Sequence, residues 1–375
     1  MIVGLIVYQP MTASRLFWPI VEYIAIDADF VGITSDGNVQ GGLFSIAPTG
    51  ESTQPVVDAA VAFIDTLNAD QRARVLFPVD DLEWQRWANI HLSARQGVGF
   101  LEFDDSQAQA AFNLIASGMS ARGYHMAVDI MRLEGHLAEL MNNYVEYGEK
   151  RYWLTIMGNP STTEPWGWQL DGHHLIVNFF VLGDQVVMAP VFMGSEPPEA
   201  KSGRYAGTKV FTEEMSSGLE LINALGVEQR VKAVLSAQKT ENSNRGELFQ
   251  DNAVVAYEGL PLGELNQPQQ QLALDLIRLY VYNIRHEHAR IKITEIIRHW
   301  DETYFAWIGG TRPDAVFYYR IHSPVVMIEF DHQTPIALDG PPVPSRNHVH
   351  TTMRTPNGND YGKDLLRQHL ENVPH

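Results

Sequence analysis

The chain predicts an α+β fold: an N-terminal helical part packed on a mainly antiparallel sheet built from middle and C-terminal strand blocks. Three observations carry this reading. Apolar residues recur at helical spacing through residues 50–145. Leu175 to Leu182 is rich in β-branched and aromatic residues, turns at Gly183-Asp184 and runs back from Gln185 to Phe192, a hairpin pattern. The C-terminal part then returns to strand-like runs at Ala315–His322, Val325–His332 and Asn347–Met353. No repeat or long polar linker divides the chain. Residues 30–375 are therefore expected to form one α+β domain behind an N-terminal extension, residues 1–29.

In chain order, Phe30 to Ile46 is punctuated by glycines and predicts a short strand pair with turns. Ser52-Thr53-Gln54-Pro55 opens a helix, with Pro near its first position and Val56, Ala60, Phe63, Ile64 and Leu67 on its stripe. Asp104 and its neighbours cap the next helix, whose stripe is Ala108, Ala111, Phe112, Ile115 and Met119. Asp129 to Tyr144 predicts another, with Ile130, Leu133, Leu137, Leu140 and Met141 inward. Tyr152 to Met157 begins the strand-rich middle. Thr212-Glu213-Glu214 caps a helix to about Leu225, Pro268 opens a long one, and Thr294 to Trp300 is a further helical piece. Gln238 to Arg245 predicts an exposed loop, Thr334 to Arg346 a Pro-rich one, and Asp364 to Leu370 a closing helix.

Composition narrows the function. Of 375 residues, 45 % are apolar and the formal net charge is −18. Nucleic acid and anionic membranes favour basic surfaces, so neither is expected as a partner. With no Cys, thiolate metal sites, disulfides and Cys nucleophiles are excluded. The start, Met1 to Ile26, lacks a basic region before its apolar residues and is interrupted by Gln9, Pro10 and Arg15. It is expected to be neither a signal peptide nor a membrane span, which makes cytoplasmic the expected location. There is no P-loop, no G-x-G-x-x-G after a strand and no H-E-x-x-H, so no nucleotide cofactor is expected. The partner expected is a small-molecule ligand or substrate, with a homo-oligomer left open.

Histidines and carboxylates carry the chemistry. His348-Val349-His350 places two imidazoles on one strand face, where they can converge on one ion. Glu329 and Asp331 have the same spacing on the preceding strand. Together these four are candidate ligands for a divalent metal, zinc or iron, with His173 or His174 completing the set. The alternative is a pair of hydrogen-bonded strand histidines. On a regular strand His173 and His174 point to opposite faces, so one is expected at a site and the other in a second layer. Tyr318, Arg320 and His322 share a face; Arg320 either clamps an anionic group or makes a structural salt bridge. Trp166 and Trp168 line an aromatic pocket or pack in the core. Asp360 lies in the turn-dense Pro356–Gly362 and either supports that turn or reaches a site. His286-Glu287-His288 is helical by pattern, so its two imidazoles diverge and are set aside as structural.

Several runs in one order resemble a known family: Pro160 through His174, Pro190 to Glu196, Phe317-Tyr318-Tyr319-Arg320-Ile321, Ile328-Glu329-Phe330-Asp331, His348 to Arg354, and Gly358 to Leu366. Together they resemble the bacterial and fungal domain of unknown function 3500, over roughly residues 30–370. That resemblance implies one framework joining the His pair, the Tyr-Tyr-Arg strand, the acidic strand and the H-x-H strand. It implies no activity; it does imply export for many relatives, against the cytoplasmic expectation. The expected function is a metal-dependent enzyme, a hydrolase of a small organic substrate. His348, His350, His173, Glu329 and Asp331 would serve as metal ligands. His174, Arg320 and Asp360 would be catalytic, with Trp166, Trp168 and Tyr318 at the substrate. The alternatives are a non-haem iron oxygenase and a non-catalytic small-molecule binding protein.

Overall fold

Thirteen strands join one mixed, mostly antiparallel sheet in the computed structural model, which describes residues 28–372. All of the expected N-terminal extension except Ala28 and Asp29 lies outside the described residues. The strands are β1 Leu76–Phe77, β2 Val98–Gly99, β3 Tyr152–Met157, β4 Trp166–Gly172, β5 Leu175–Leu182, β6 Gln185–Val187, β7 Val191–Ser195, β8 Val234–Ser236, β9 Leu260–Pro261, β10 Tyr304–Gly309, β11 Phe317–His322, β12 Met327–His332 and β13 Val349–Arg354. The helices are α1 Gln54–Thr66, α2 Ala69–Val75, α3 Asp105–Gly118, α4 Ala121–Met141, α5 Thr212–Ala224, α6 Val227–Ala233, α7 Gln267–Val281, α8 His286–Arg298 and α9 Lys363–Asn372. The fold is α+β.

The sheet runs β1-β3-β4-β5-β7-β13-β12-β11-β10-β8. The middle and C-terminal strand blocks thus meet at its centre, where β7 pairs with β13. The return of the expected hairpin is split. Gln185–Val187 pairs with the far end of β5, Met188–Pro190 interrupts, and Val191–Ser195 pairs with both β5 and β13. Proline has no N–H for a ladder bond, so an interruption at Pro190 is where the chain can change partners.

Pairing register sorts the side chains into two faces. On one, Val349 lies opposite His332, Thr351 opposite Phe330, and Phe330 opposite Tyr319. This face is largely apolar and covered by helices: Tyr319 packs on Gly218 of α5 and shares a hydroxyl hydrogen bond with Tyr280 of α7 at 2.6 Å. On the other, His350–Asp331–Tyr318 and Thr352–Glu329–Arg320 form polar rows. Loops cover this face. Gly246 donates its N–H to Glu329, and Arg320 pairs with Glu258. Burial of so many polar groups is tolerated because nearly every one finds a partner.

Two helices begin earlier than expected, and two short ones, α2 and α6, were not expected. α4 begins eight residues before Asp129, because Ser120 caps it by accepting the N–H of Gly123, and it stops at Asn142 in a left-handed conformation, φ 47°. α8 starts at His286 rather than Thr294. The helical pattern at His286-Glu287-His288 thus continues into the piece expected from Thr294, although the inward stripe between them is only His288, Ala289, Ile293 and Ile296.

Candidate metal centre

The β4–β5 connection, β7 and β13 bring three imidazoles together. His173 and His174 occupy the two-residue turn between Gly172 and Leu175 rather than a regular strand. Strand alternation therefore does not apply to them, and both reach the same carboxylate. Gly194 N donates to the carbonyl of His174 at 2.8 Å, and Gly194 is the register partner of His350. The row His174–Gly194–His350 thus has a glycine in the middle, and its missing side chain leaves the gap into which both rings turn. His348, two residues before His350, completes the group just outside the strand.

The nitrogen atoms offered by His174, His348 and His350 all lie within 4.8 Å of one another. All three residues are buried. Each Nε2 lacks a hydrogen-bond partner, whereas each Nδ1 is held. His174 Nδ1 lies 3.0 Å from Glu134 Oε2, His348 Nδ1 2.8 Å from the Thr334 carbonyl, and His350 Nδ1 2.6 Å from Glu247 Oε1. A carbonyl accepts only, and so does an ionised carboxylate. Burial raises Glu247, but the Asn244 and Asn89 amides that donate to it favour its ionised form. In that form the three acceptors assign the proton to Nδ1 and leave a lone pair on each Nε2. Three such lone pairs in one buried group of rings have nothing to bond unless a donor or a cation reaches them. Neutral imidazoles oriented from behind by carboxylate or carbonyl are the usual arrangement of metal-ligating histidine. Burial, then the neighbouring imidazoles, holds His348 and His350 far below the ordinary histidine range, so both stay neutral.

Glu134 projects from α4 and joins a second group, with His173 and His174. Its Oε1 lies 2.9 Å from His173 Nδ1. Burial alone would raise this carboxyl, but the two imidazoles hold it below the usual carboxylate range. Burial pushes His173 down to about 3. The consistent arrangement is one carboxylate accepting from both imidazoles, with His173 neutral. His173 stacks on His174 at 3.7 Å between centroids, and His91 and Tyr147 pack against its other side. These buried His/Glu groups could hold a metal ion.

The structure thus brings His348 and His350 together with His174, and places His173 beside them through Glu134. The remaining residues singled out from the sequence stand elsewhere. Glu329 and Asp331 belong to neither group. Glu329 accepts from the N–H groups of Arg245 and Gly246 and from Tyr318 and Thr352 hydroxyls. Asp331 pairs with the buried Lys239 at 2.9 Å and accepts from Ser243 N and Gln333. Arg320 is two strands from His350 and engages Glu258 at 2.8 Å. Tyr318 donates to Glu329, and Asp360 accepts from Arg354 Nε at 2.8 Å. Trp166 donates to the Ser161 carbonyl and Trp168 stacks on Phe179, both fully buried. His288, set aside as structural, is buried in the helix α8. A surface cavity of about 380 Å³ between residues 43–49, Gln185–Val187 and α8 contains none of the grouped histidines.

Three carboxylates were not legible as site residues. Glu134 interrupts an otherwise apolar helix stripe, between Ile130 and Leu137, and that interruption is its only signal. Glu247 lies just beyond the loop expected to be exposed. Glu196 accepts from the N–H groups of Ile336, Ala337 and Leu338 and so fixes the loop whose Thr334 carbonyl receives His348.

No curated protein and no solved structure matches this chain. A family model described as protein of unknown function (DUF3500) matches residues 49–363. That span contains the turn carrying His173 and His174, the strand carrying His350, Glu134 and Glu247, and on it the chain belongs to the DUF3500 family.

Proposed function

We propose that the protein is a metal-dependent enzyme, a hydrolase of a small organic substrate, with His174, His348 and His350 as the ligands. The observation that supports this is three buried imidazoles with ring nitrogens within 4.8 Å of one another, each with its Nδ1 engaged and its Nε2 unpartnered. Three imidazoles with an open further position are a donor set of catalytic zinc. A divalent ion held there would supply a Lewis acid able to activate water near neutral pH. The chain's own part is to keep His348 and His350 neutral by burial, to fix the direction of all three rings through Glu134, Thr334 and Glu247, and to exclude bulk water. His173 and His91 are the least buried imidazoles of the cluster, with 14 % and 13 % of their side chains exposed. Substrate is proposed to arrive past them. The two-His-one-carboxylate set of non-haem iron oxygenases has a counterpart in Glu134, His173 and His174, but it finds less support, because Glu134 is already engaged by the Nδ1 of both histidines and Glu329 and Asp331 are occupied elsewhere.

The test is metal content. Full-length protein stripped with chelator and dialysed against Zn²⁺ or Fe²⁺ is expected to bind one equivalent of zinc. The double variant His348→Ala, His350→Ala is expected to bind none while keeping its circular dichroism. Equal zinc in that variant would refute the ligand assignment, and stoichiometric iron with substrate-dependent oxygen uptake would replace hydrolysis with oxygen chemistry. Catalysis is tested by screening zinc-loaded protein against small esters, amides and phosphoesters. Turnover that survives in the double variant would remove the metal from the reaction.

A further inference from the structure

Three of the buried charges on the polar sheet face share one target. Asp331 Oδ2 accepts the N–H of Ser243 at 2.7 Å and of Asn244 at 3.3 Å. Glu329 accepts the N–H of Arg245 at 2.9 Å and of Gly246 at 2.8 Å. Four consecutive peptide N–H groups therefore donate to two carboxylates of β12. Arg354 of β13 then takes the carbonyl of Gly246 at 3.1 Å and the carboxylate of Asp251. The segment lies flat on the sheet: a Cβ on Gly246 would sit 2.8 Å from Met327 Cε and 3.1 Å from Glu329 Oε2. Glu329, Asp331 and Arg354 are all fully buried. Burying three ionisable side chains is an expensive way to hold a surface loop. What the arrangement delivers is Glu247, the next residue, onto His350 Nδ1 at 2.6 Å, with Asn89 and Asn244 donating to the same carboxylate.

We propose that segment 243–251 is a docked arm whose Glu247 orients His350 for metal binding, and that Glu329, Asp331 and Arg354 are positioning residues that act through it. This rests on the metal-centre reading above. An oriented imidazole binds metal more tightly, and removal of such a partner typically weakens metal affinity about 10–100-fold. Binding linkage is reciprocal, so metal must tighten the arm by the same factor by which the docked arm tightens metal.

The arm reports on itself, because Arg245 is an exposed trypsin site within it. Chelator-stripped full-length protein is titrated with Zn²⁺, with Co²⁺ absorption as a second readout of ligand geometry, and cleavage after Arg245 is timed with and without Zn²⁺. In the wild type, zinc is expected to slow that cleavage about tenfold or more. Glu247→Gln is expected to weaken zinc binding by about 10–100-fold, shift the Co²⁺ spectrum and abolish the protection. Glu329→Gln is expected to weaken zinc binding to a similar degree. Wild-type protein that binds zinc with no change in cleavage would overturn the proposal without using any variant. So would Glu247→Gln and Glu329→Gln proteins that bind zinc as tightly as wild type; the metal centre itself would then stand. A wild type that binds neither zinc nor cobalt would instead overturn the metal centre, and the arm's role with it.

Discussion

His174 and His350 face each other across Gly194, with ring centroids 5.7 Å apart. A Cβ at that glycine would stand 3.1 Å from His174 Cδ2, 3.0 Å from His350 Cδ2 and 3.0 Å from the Val349 carbonyl. These contacts are tight on three sides, and one of them is backbone. Gly194→Ala is therefore expected to fold but to spread the two rings. Zinc affinity, measured by competition with a chromophoric chelator, should fall about tenfold, the lower end of what misoriented ligands lose. Unchanged affinity would mean that the gap plays no part in metal binding.

Glu134 holds two imidazoles at once, and its loss strands both. In Glu134→Gln the amide can accept from one Nδ1–H through its oxygen, but its NH₂ cannot accept from the other. One buried imidazole is left without an acceptor, which is expected to cost about 1–3 kcal/mol in stability. Zinc affinity should drop by about 10–100-fold through loss of the carboxylate behind His174. Urea unfolding of the metal-free protein separates the first effect from the second. A variant with wild-type stability and wild-type zinc affinity would remove Glu134 from the site.

Much of this site was legible in the chain, and the missing part has a common physical cause. The Leu175–Leu182 strand, the capping residue Asp104 and the paired spacing of His348 and His350 follow from periods of 2 and 3.6, which sequence displays directly. The polar rows also follow from period 2, which is why Glu329 and Asp331 stood out beside His350. Their role did not, because two carboxylates facing two imidazoles in sequence spacing look alike whether they hold a metal or peptide N–H groups. The alternation argument failed at His173 and His174 because both lie in the turn ahead of the strand, which begins at Leu175, so its period does not extend to them. Glu247 and Thr334 come from loops without periodicity, where only the docked chain path decides which group reaches a given imidazole. In residues 30–46, where a short strand pair was expected, a single isolated bridge, Thr34 with Val254, is present.

Acid should destabilise the metal-free protein through its buried histidines. Burial pushes His322 and His332 down to about 3, and both lie outside the metal centre. Unfolded histidine titrates near 6.5, so between about pH 6.5 and 3 the unfolded chain binds more protons than the folded one. Stability contributed by the neutral form is present above that window and is lost as pH falls, approaching about 1.4 kcal/mol per pH unit for each histidine. Asp331 works the other way. Burial raises it to about 7, so the folded chain takes up its proton first and gains between about pH 7 and 4. Glu196, Glu247 and Asp360, also raised by burial, join Asp331, while His91, His173, His288, His348 and His350, all held low, join the histidine side, so among the described residues seven histidines stand against four carboxyls. The urea midpoint of chelator-stripped protein is expected to fall steadily from pH 7 to 5, and less steeply in His322→Gln. A midpoint independent of pH would contradict the buried neutral histidines.

Metal should stabilise the folded chain, because the three ligands come from segments more than 170 residues apart and meet only in the native state. Zinc at a free concentration about 100-fold above its Kd adds about 2.7 kcal/mol. Unfolding entropy scales with length, and for a chain of this size that free energy corresponds to a rise in Tm of about 3–4 °C. Differential scanning calorimetry of wild type with and without zinc measures it. The His348→Ala, His350→Ala protein should show no rise. An equal rise in both would place the bound zinc somewhere other than the His174–His348–His350 group, and the search for it would move to the remaining His/carboxylate contacts, His91 with Glu146 first.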